Sequence, residues 1–313
     1  MITFLSSPKP FVGEADFNQR NAIRSWLTAV PNAEIILYGA SEGAAELSAE
    51  WGLAHVPVVA SAPSGLPYFG AIVNHAEENG RFDVQCYLNC DILLTPSIAR
   101  AITSVAFKKF LLVGQRIDMA EGSRLEASNP GWWKAVEELQ DSGLLELQPP
   151  TAIDYFVFPR GLWNGLLPLI IGRAGYDNAL LGFCLRNGIP ILDATETVLA
   201  LHQFHGYGHA AGGRKEVYEG SDADSNRRVH DVRHSVPSIR DAQWRVRPAG
   251  ITRVVAGGDL LRFAELRVKY NLKLTWLSYG FRAAWRIGRT LGLVGSHNVS
   301  QAHLIQRYLQ NNE

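Results

Sequence analysis

The first two hundred residues alternate between short apolar runs and longer stretches whose apolar positions recur every three to four residues. Glu34–Tyr38 and Val84–Leu88, with residues 2–6, 55–59, 111–114, 155–158 and 189–193, are short, rich in Ile, Leu, Val, Tyr and Phe, and mostly flanked by Gly, Pro or Asn. That pattern predicts strands. Between them, residues 17–28, 43–51, Phe69–Asn79 and 178–187 carry helical spacing. Strand–helix–strand succession predicts a mainly parallel sheet with helices on both faces, an α/β fold. Ligands of such sheets bind beyond the carboxyl ends of the strands, so polar residues just after strands are the first candidates for chemistry.

The pattern changes after His209. Residues 212–233 are polar and without period, which predicts a mobile loop, and from about residue 259 helical spacing returns with basic and aromatic residues. The expected division is an α/β body over 1–213, a mobile polar linker over 214–257 and a basic helical extension over 258–313. Composition agrees with a sizeable core: 47% of 313 residues are hydrophobic. The net charge of zero argues against a general nucleic-acid binder, yet it hides an asymmetry. From residue 245 onward eleven Lys/Arg face three acids, so a body of net −8 precedes a tail of net +8. Such a tail either packs on the body or on a second subunit, or lies on an anionic membrane surface. Three cysteines without a C-x-x-C do not form a disulfide framework. With no signal-like N-terminus and no long apolar run, the expectation is a cytoplasmic protein, with peripheral contact at the inner face of the membrane through the tail.

Several patches carry candidate chemistry. In Asn89-Cys90-Asp91-Ile92 a strand runs into Asn-x-Asp, so Asp91 is placed to hold a divalent cation against a diphosphate; a plain turn is the simpler alternative. His202, His205 and His209 fall within eight positions, among Gly and Tyr. Neutral imidazoles of this kind can complete a metal site begun by a distant carboxylate, or simply hydrogen-bond in a polar loop. Asp177 opens an apolar helix, as an N-cap, as a general base, or as both. Arg116 follows a strand and could pair with phosphate, while Asp118 and Asp154 could bind sugar hydroxyls; each could equally form a surface ion pair. Asp193, beside Thr195 and Glu196, belongs to the same strand-end class. No G-x-G-x-x-G follows an early strand, which disfavours a dinucleotide-dependent dehydrogenase.

Taken in order, Gly65-Leu66-Pro67, Asn89-Cys90-Asp91-Ile92, the Gly-x-Arg-x-Asp ending in Asp118, the Asp154-Tyr155-Phe156 strand, Tyr176-Asp177-Asn178, Asp193-Ala194-Thr195 and His202-Gln203-Phe204-His205-Gly206-Tyr207-Gly208-His209 resemble a group of GT-A-like nucleotide-diphospho-sugar transferases. The resemblance spans residues 2–213. It implies a GT-A (Rossmann-like) sheet, a nucleotide-diphosphate sugar donor, a uridine one by preference, and Mn²⁺ or Mg²⁺ held by Asp91 with His202 or His205. Donor contacts are expected from Ser7, Lys9, Asn89, Asp91 and Arg116, acceptor contacts from Asp118, Asp154 and Tyr207, and proton removal from Asp177. The expected product is a glycan or glycolipid of surface polysaccharide synthesis, made from a glycan or lipid-linked acceptor, with inversion expected from the position of Asp177 and not from the resemblance; a homo-oligomer is compatible. Phe204, Gly206 and Gly208 depart from the group at its variable places, which touches acceptor contacts more than metal binding. Alternatives are a nucleotidyltransferase, against which residues 6–11 lack a Gly-rich basic signature, and a non-catalytic nucleotide-sugar-binding protein, suggested by Asn89 where an acid is usual.

Overall fold

The structure is a computed structural model of this chain and describes residues 1–206, 212–229, 236–254, 260–270, 272–291 and 300–310. The first half runs β1 (Thr3–Ser6), α1 (Gly13–Ala29), β2 (Glu34–Tyr38), α2 (Ala44–Trp51), β3 (Ala54–Val56), α3 (Phe69–Asn79), β4 (Val84–Leu88), β5 (Ile92–Leu94), α4 (Ser97–Thr103), β6 (Leu111–Val113) and β7 (Ile117–Met119). Then follow α5 (Val136–Asp141), β8 (Leu145–Leu147), β9 (Tyr155–Pro159), α6 (Tyr176–Arg186), β10 (Ile191–Asp193) and β11 (Ala200–His202). The remainder comprises α7 (Gly213–Glu219), α8 (Ser221–Val229), β12 (Trp244–Arg247), β13 (Gly250–Arg253), α9 (Leu260–Tyr270), α10 (Thr275–Thr290) and α11 (Gln301–Gln310).

Nine strands form one sheet in the order β13-β12-β10-β6-β9-β4-β1-β2-β3. It is mostly parallel, as the alternating pattern predicts. β9 runs antiparallel to both β4 and β6, and β13 closes one edge as a hairpin with β12. Because β9 is reversed, its N-terminal end lies at the same edge as the C-terminal ends of its neighbours. The central strands are buried on both faces, which is why they read as unbroken apolar runs. Phe4, Leu37, Cys86 and Val157 point into one core cluster with Trp26 of α1. Leu5, Tyr38, Tyr87 and Phe158 point into the other, with Phe69 of α3 and Leu180 of α6.

A second sheet, β5-β11-β7-β8, sits beside this edge and is built from three-residue strands. Its register decides the site. β11 pairs antiparallel with β5, His202 opposite Ile92, and parallel with β7, His202 opposite Asp118. Hydropathy does not say which segments pair, and only their pairing brings the three together.

Within residues 214–257 lie most of α7, all of α8, and β12, which pairs with β10 of the main sheet. α8 looked like loop because amide bonding as well as apolar packing holds it; the buried Asn226 accepts from Ile170 N and donates to Ile170 O, both at 2.8 Å. The basic extension also contacts the body. Leu304, Ile305 and Tyr308 of α11 are buried in the main core, and Gln301 donates to Leu145 O at 2.7 Å. α9 packs on α6.

Candidate functional site

Six segments deliver polar side chains to the carboxyl edge of the sheet: the ends of β1, β4, β6 and β11, the start of β9 and the start of α6. At its centre the Asp91 carboxylate, in the turn between β4 and β5, is buried. One of its oxygens, Oδ2, lies 3.0 Å from Lys9 Nζ and 3.1 Å from His205 Nε2. The other, Oδ1, is 3.8 Å from His202 Nε2 and has no hydrogen-bond partner among the described residues. Ligand atoms of Asp91, His202 and His205 all fall within 4.8 Å of one another.

The tautomers follow from the neighbours. His205 Nδ1 lies 2.9 Å from Gly206 O, and a carbonyl only accepts, so Nδ1 carries the proton there. His202 Nδ1 lies 3.3 Å from Asp118 Oδ1, which asks the same of it. Both Nε2 atoms therefore face Asp91: His205 donates Nε2–H to Oδ2 while its ring is protonated, and each Nε2 offers a lone pair once its ring is neutral. Two imidazole nitrogens and a carboxylate converge, with one orphaned buried oxygen among them. This mixed nitrogen and oxygen donor set fits a first-row divalent ion, and its carboxylate suits Mn²⁺. The Lys9 ammonium lies beside this set, 3.1 Å from His205 Nε2. Burial alone would push the Asp91 carboxyl up, but Lys9 and the two histidines hold it well below the usual carboxylate range. Burial likewise acts to lower His205, and the Asp91 hydrogen bond and charge outweigh it, leaving His205 raised.

A frame of hydrogen bonds surrounds this centre. Arg116 bonds Asp118 at 2.7 Å and also pairs with Asp154. Asn89 meets Asp154 twice, through its backbone N–H at 3.1 Å and through Nδ2 at 2.6 Å, and accepts from the Tyr176 hydroxyl at 3.3 Å. Arg116, expected at the donor phosphates, is thus held between two carboxylates. Asp118 and Asp154, expected at the acceptor, spend oxygens on Arg116, His202 and Asn89.

Asp177 is the second residue of α6 and not its cap; Gly175, at φ 94°, takes that place. A Cβ at Gly175 would press on Arg227 Cγ at 3.1 Å, so the left-handed turn that starts α6 is reserved for glycine on two counts. Oδ1 of Asp177 is buried without a partner among the described residues. Burial, aided by the charge of Asp154 and opposed by backbone N–H groups, raises its carboxyl to about 7.

Ser7 sits beside Gly39, where β1 and β2 end, and Gly65 lies in a tight turn at φ 85°. Asp193 turns back on Thr195 N at 2.9 Å and faces Arg245 at 3.6 Å, a structural role. Tyr207 and His209 lie outside the described residues.

The sequence reading missed the role of α1. Its buried face carries amides where an ordinary amphipathic helix has apolar residues. Gln19 clamps the backbone of Lys9, accepting from its N–H at 2.6 Å and donating to its carbonyl at 3.0 Å. Asn18 donates to Phe204 O at 2.9 Å, and Asn21 donates to Gln203 Oε1 at 2.8 Å. Gln203, between the two histidines, donates to Asp91 O at 3.1 Å. The visible signal was three amides in one helical stretch, Asn18, Gln19 and Asn21, with Gln19 two turns before Trp26.

No protein-family model matches the chain, and no curated protein matches it. Among solved structures it is similar to the mannosyltransferase PcManGT from Pyrobaculum calidifontis in complex with GDP-Man and Mn²⁺, at 12% identity and TM-score 0.45, covering 99% of this chain and 86% of that one. It is also similar to the M. tuberculosis glucosyl-3-phosphoglycerate synthase in complex with Mg²⁺ and UDP, at 13% identity and TM-score 0.42, covering 81% and 86%. A third is S. aureus TarS 1-349, at 10% identity and TM-score 0.30; the match takes in 39% of this chain and only 37% of the length of that one.

Proposed function

We propose that the chain is a metal-dependent glycosyltransferase that uses a nucleotide-diphosphate sugar, by preference a uridine one. The observation that carries this is the convergence of Asp91, His202 and His205 at the carboxyl edge of a mainly parallel sheet, with a second acid of elevated pKa on α6 at the same edge. A divalent ion bound there would offset the charge that gathers on a departing diphosphate. Lys9 would add a second positive charge on the nucleotide side, and Ser7 at the end of β1 would meet the nucleotide. Asn89 would position Asp154 and Tyr176 and would not itself ligate.

Asp177 would act as general base. The acceptor hydroxyl gives its proton to the Asp177 carboxylate while its oxygen bonds to the anomeric carbon, and the bond from that carbon to the diphosphate breaks. A carboxyl near 7 is matched to this task at neutral pH. Direct displacement of this kind inverts the anomeric configuration. Arg116, with Asp118 and Asp154, would hold the frame against which a glycan or lipid-linked acceptor is placed. The domain reading proposed alongside is a catalytic body that includes β12 and α11.

Calorimetric titration with UDP, GDP and their sugars, with and without Mn²⁺, tests the donor class, and product analysis with candidate acceptors tests transfer. Metal-dependent binding of one nucleotide diphosphate with turnover upholds the reading. Binding without turnover favours a donor-binding protein, a reading that the commitment of Asn89 to structural bonds supports. No binding by folded protein refutes both.

A further inference from the structure

α10 has two faces of different character. Ser278 and Gly288 are buried and Phe281 and Trp285 half-buried, at spacings that put them on one side, toward α9. The opposite side is apolar and open. Trp276 is 71% exposed, Ile287 60% and Leu291 66%, with the exposed small residues Gly280 and Ala283 between them. The turn before the helix adds Leu272, 58% exposed, and the exposed Leu274. Isolated exposed apolar residues need no explanation, but large ones repeated along one helical face mark a surface that is covered in use.

The charges around that face name what covers it. No acid occurs in the sequence between Glu265 and Glu313. Glu265 itself is buried and paired with Arg262 at 2.9 Å. Exposed basic residues rim the face instead: Arg267 on α9, Lys273 in the turn and Arg286 on α10. A second copy meeting this face across a two-fold axis would set those cations against their own kind. An anionic bilayer satisfies both features, since tryptophan and leucine enter the headgroup boundary while lysine and arginine meet lipid phosphate. No helix of the described residues is long and apolar enough to cross a membrane, so contact would be along the surface.

We infer that the outer face of α10, with the Leu272–Leu274 turn, docks the protein on an anionic phospholipid surface. The test is flotation of the full chain with vesicles of phosphatidylcholine alone or mixed with phosphatidylglycerol, at low and high salt. The wild-type chain floats with the mixed vesicles at low salt and is released at high salt. Trp276→Ser/Ile287→Ser lowers the partition coefficient at least tenfold by removing the inserted residues. Lys273→Glu/Arg286→Glu lowers it by about fivefold or more per residue changed. Both variants keep the unfolding midpoint and the Mn²⁺ affinity of the parent, which excludes misfolding as the cause. Failure of the folded wild-type chain to float with mixed vesicles at low salt would overturn the inference. So would flotation that neither variant reduces. Sedimentation velocity supplies the remaining alternative: self-association of the wild type that Trp276→Ser/Ile287→Ser abolishes would assign the face to a second copy.

Discussion

Lys9 and Asp91 form an ion pair, Nζ to Oδ2 3.0 Å, across the mouth of the site where the Nε2 atoms of His202 and His205 also converge. The ammonium therefore stands where a divalent ion would share the same ligands. Like charges a few ångströms apart in partly buried surroundings repel by about 4 kcal/mol before relaxation. Lysine has a long flexible stem, so it can swing away and give back part of that.

The first prediction is a gain of function in metal binding. Lys9→Met should raise Mn²⁺ affinity in the absence of nucleotide by about tenfold or more, since most of the repulsion disappears. The same variant should weaken nucleotide diphosphate binding if Lys9 meets the phosphates. Manganese titration followed by electron paramagnetic resonance reads the first effect and calorimetry the second. An unchanged Mn²⁺ affinity would mean that the ion does not share Asp91 with Lys9.

Asp118 gives a second prediction. Its Oδ1 lies 3.3 Å from His202 Nδ1 while Arg116 bonds the same carboxylate. The carboxylate holds the imidazole with Nε2 toward Asp91. Asp118→Asn should weaken Mn²⁺ binding by about tenfold or more without removing a ligand. Asp91→Ala should abolish it. Equal losses for both would place Asp118 among the ligands.

How much of this was legible beforehand depended on segment length and on what each segment buries. Glu34–Tyr38, Phe69–Asn79 and Val84–Leu88 match their predicted bounds, because two-sided burial writes a continuous apolar run and one-sided burial a helical period. β5, β7 and β11 carry no period, and hydropathy does not specify pairing, so the pairing of His202 with Asp118 had no trace in the sequence. The grouping of Asp91 with His202 and His205 came from residue type and resemblance, and the fold brings them together. The commitment of Arg116 to two acids lay beyond reach, since a strand-end arginine looks alike whether it meets phosphate or carboxylate. Asn18, Gln19 and Asn21 were visible as letters, but a hydropathy pattern counts buried amides as surface.

Those amides make the third prediction. Asn21 accepts from Ala127 N at 2.7 Å and donates to Leu125 O at 2.6 Å and to Gln203 Oε1, all in buried surroundings. Asn21→Ala leaves three buried groups unpaired, at about 1–3 kcal/mol for each that water cannot reach. The urea midpoint should fall by an amount worth about 3 kcal/mol with little change in slope. Because Gln203 passes the constraint on to Asp91, Mn²⁺ affinity should fall too. A stability loss with intact metal binding would show that α1 supports the core and does not set the site.

The last prediction concerns pH. Asp177 is raised to about 7 chiefly by burial, with Asp154 adding repulsion. A base works in its ionised form, so kcat should climb with pH through about 7 and level off above it. The direction is opposite for a group that must be protonated, which would give a falling limb there. Asp177→Asn should lower kcat at least about a hundredfold and flatten the rise, because the group that titrates has gone. His205 is raised as well, and its protonation would release metal as pH falls, giving a second rise in the same direction. The two separate under saturating Mn²⁺: a limb caused by metal loss moves to lower pH as the ion is raised, whereas a limb caused by Asp177 stays in place. A wild-type limb that shifts fully with Mn²⁺, or one that persists unchanged in Asp177→Asn, would remove Asp177 from the role of base.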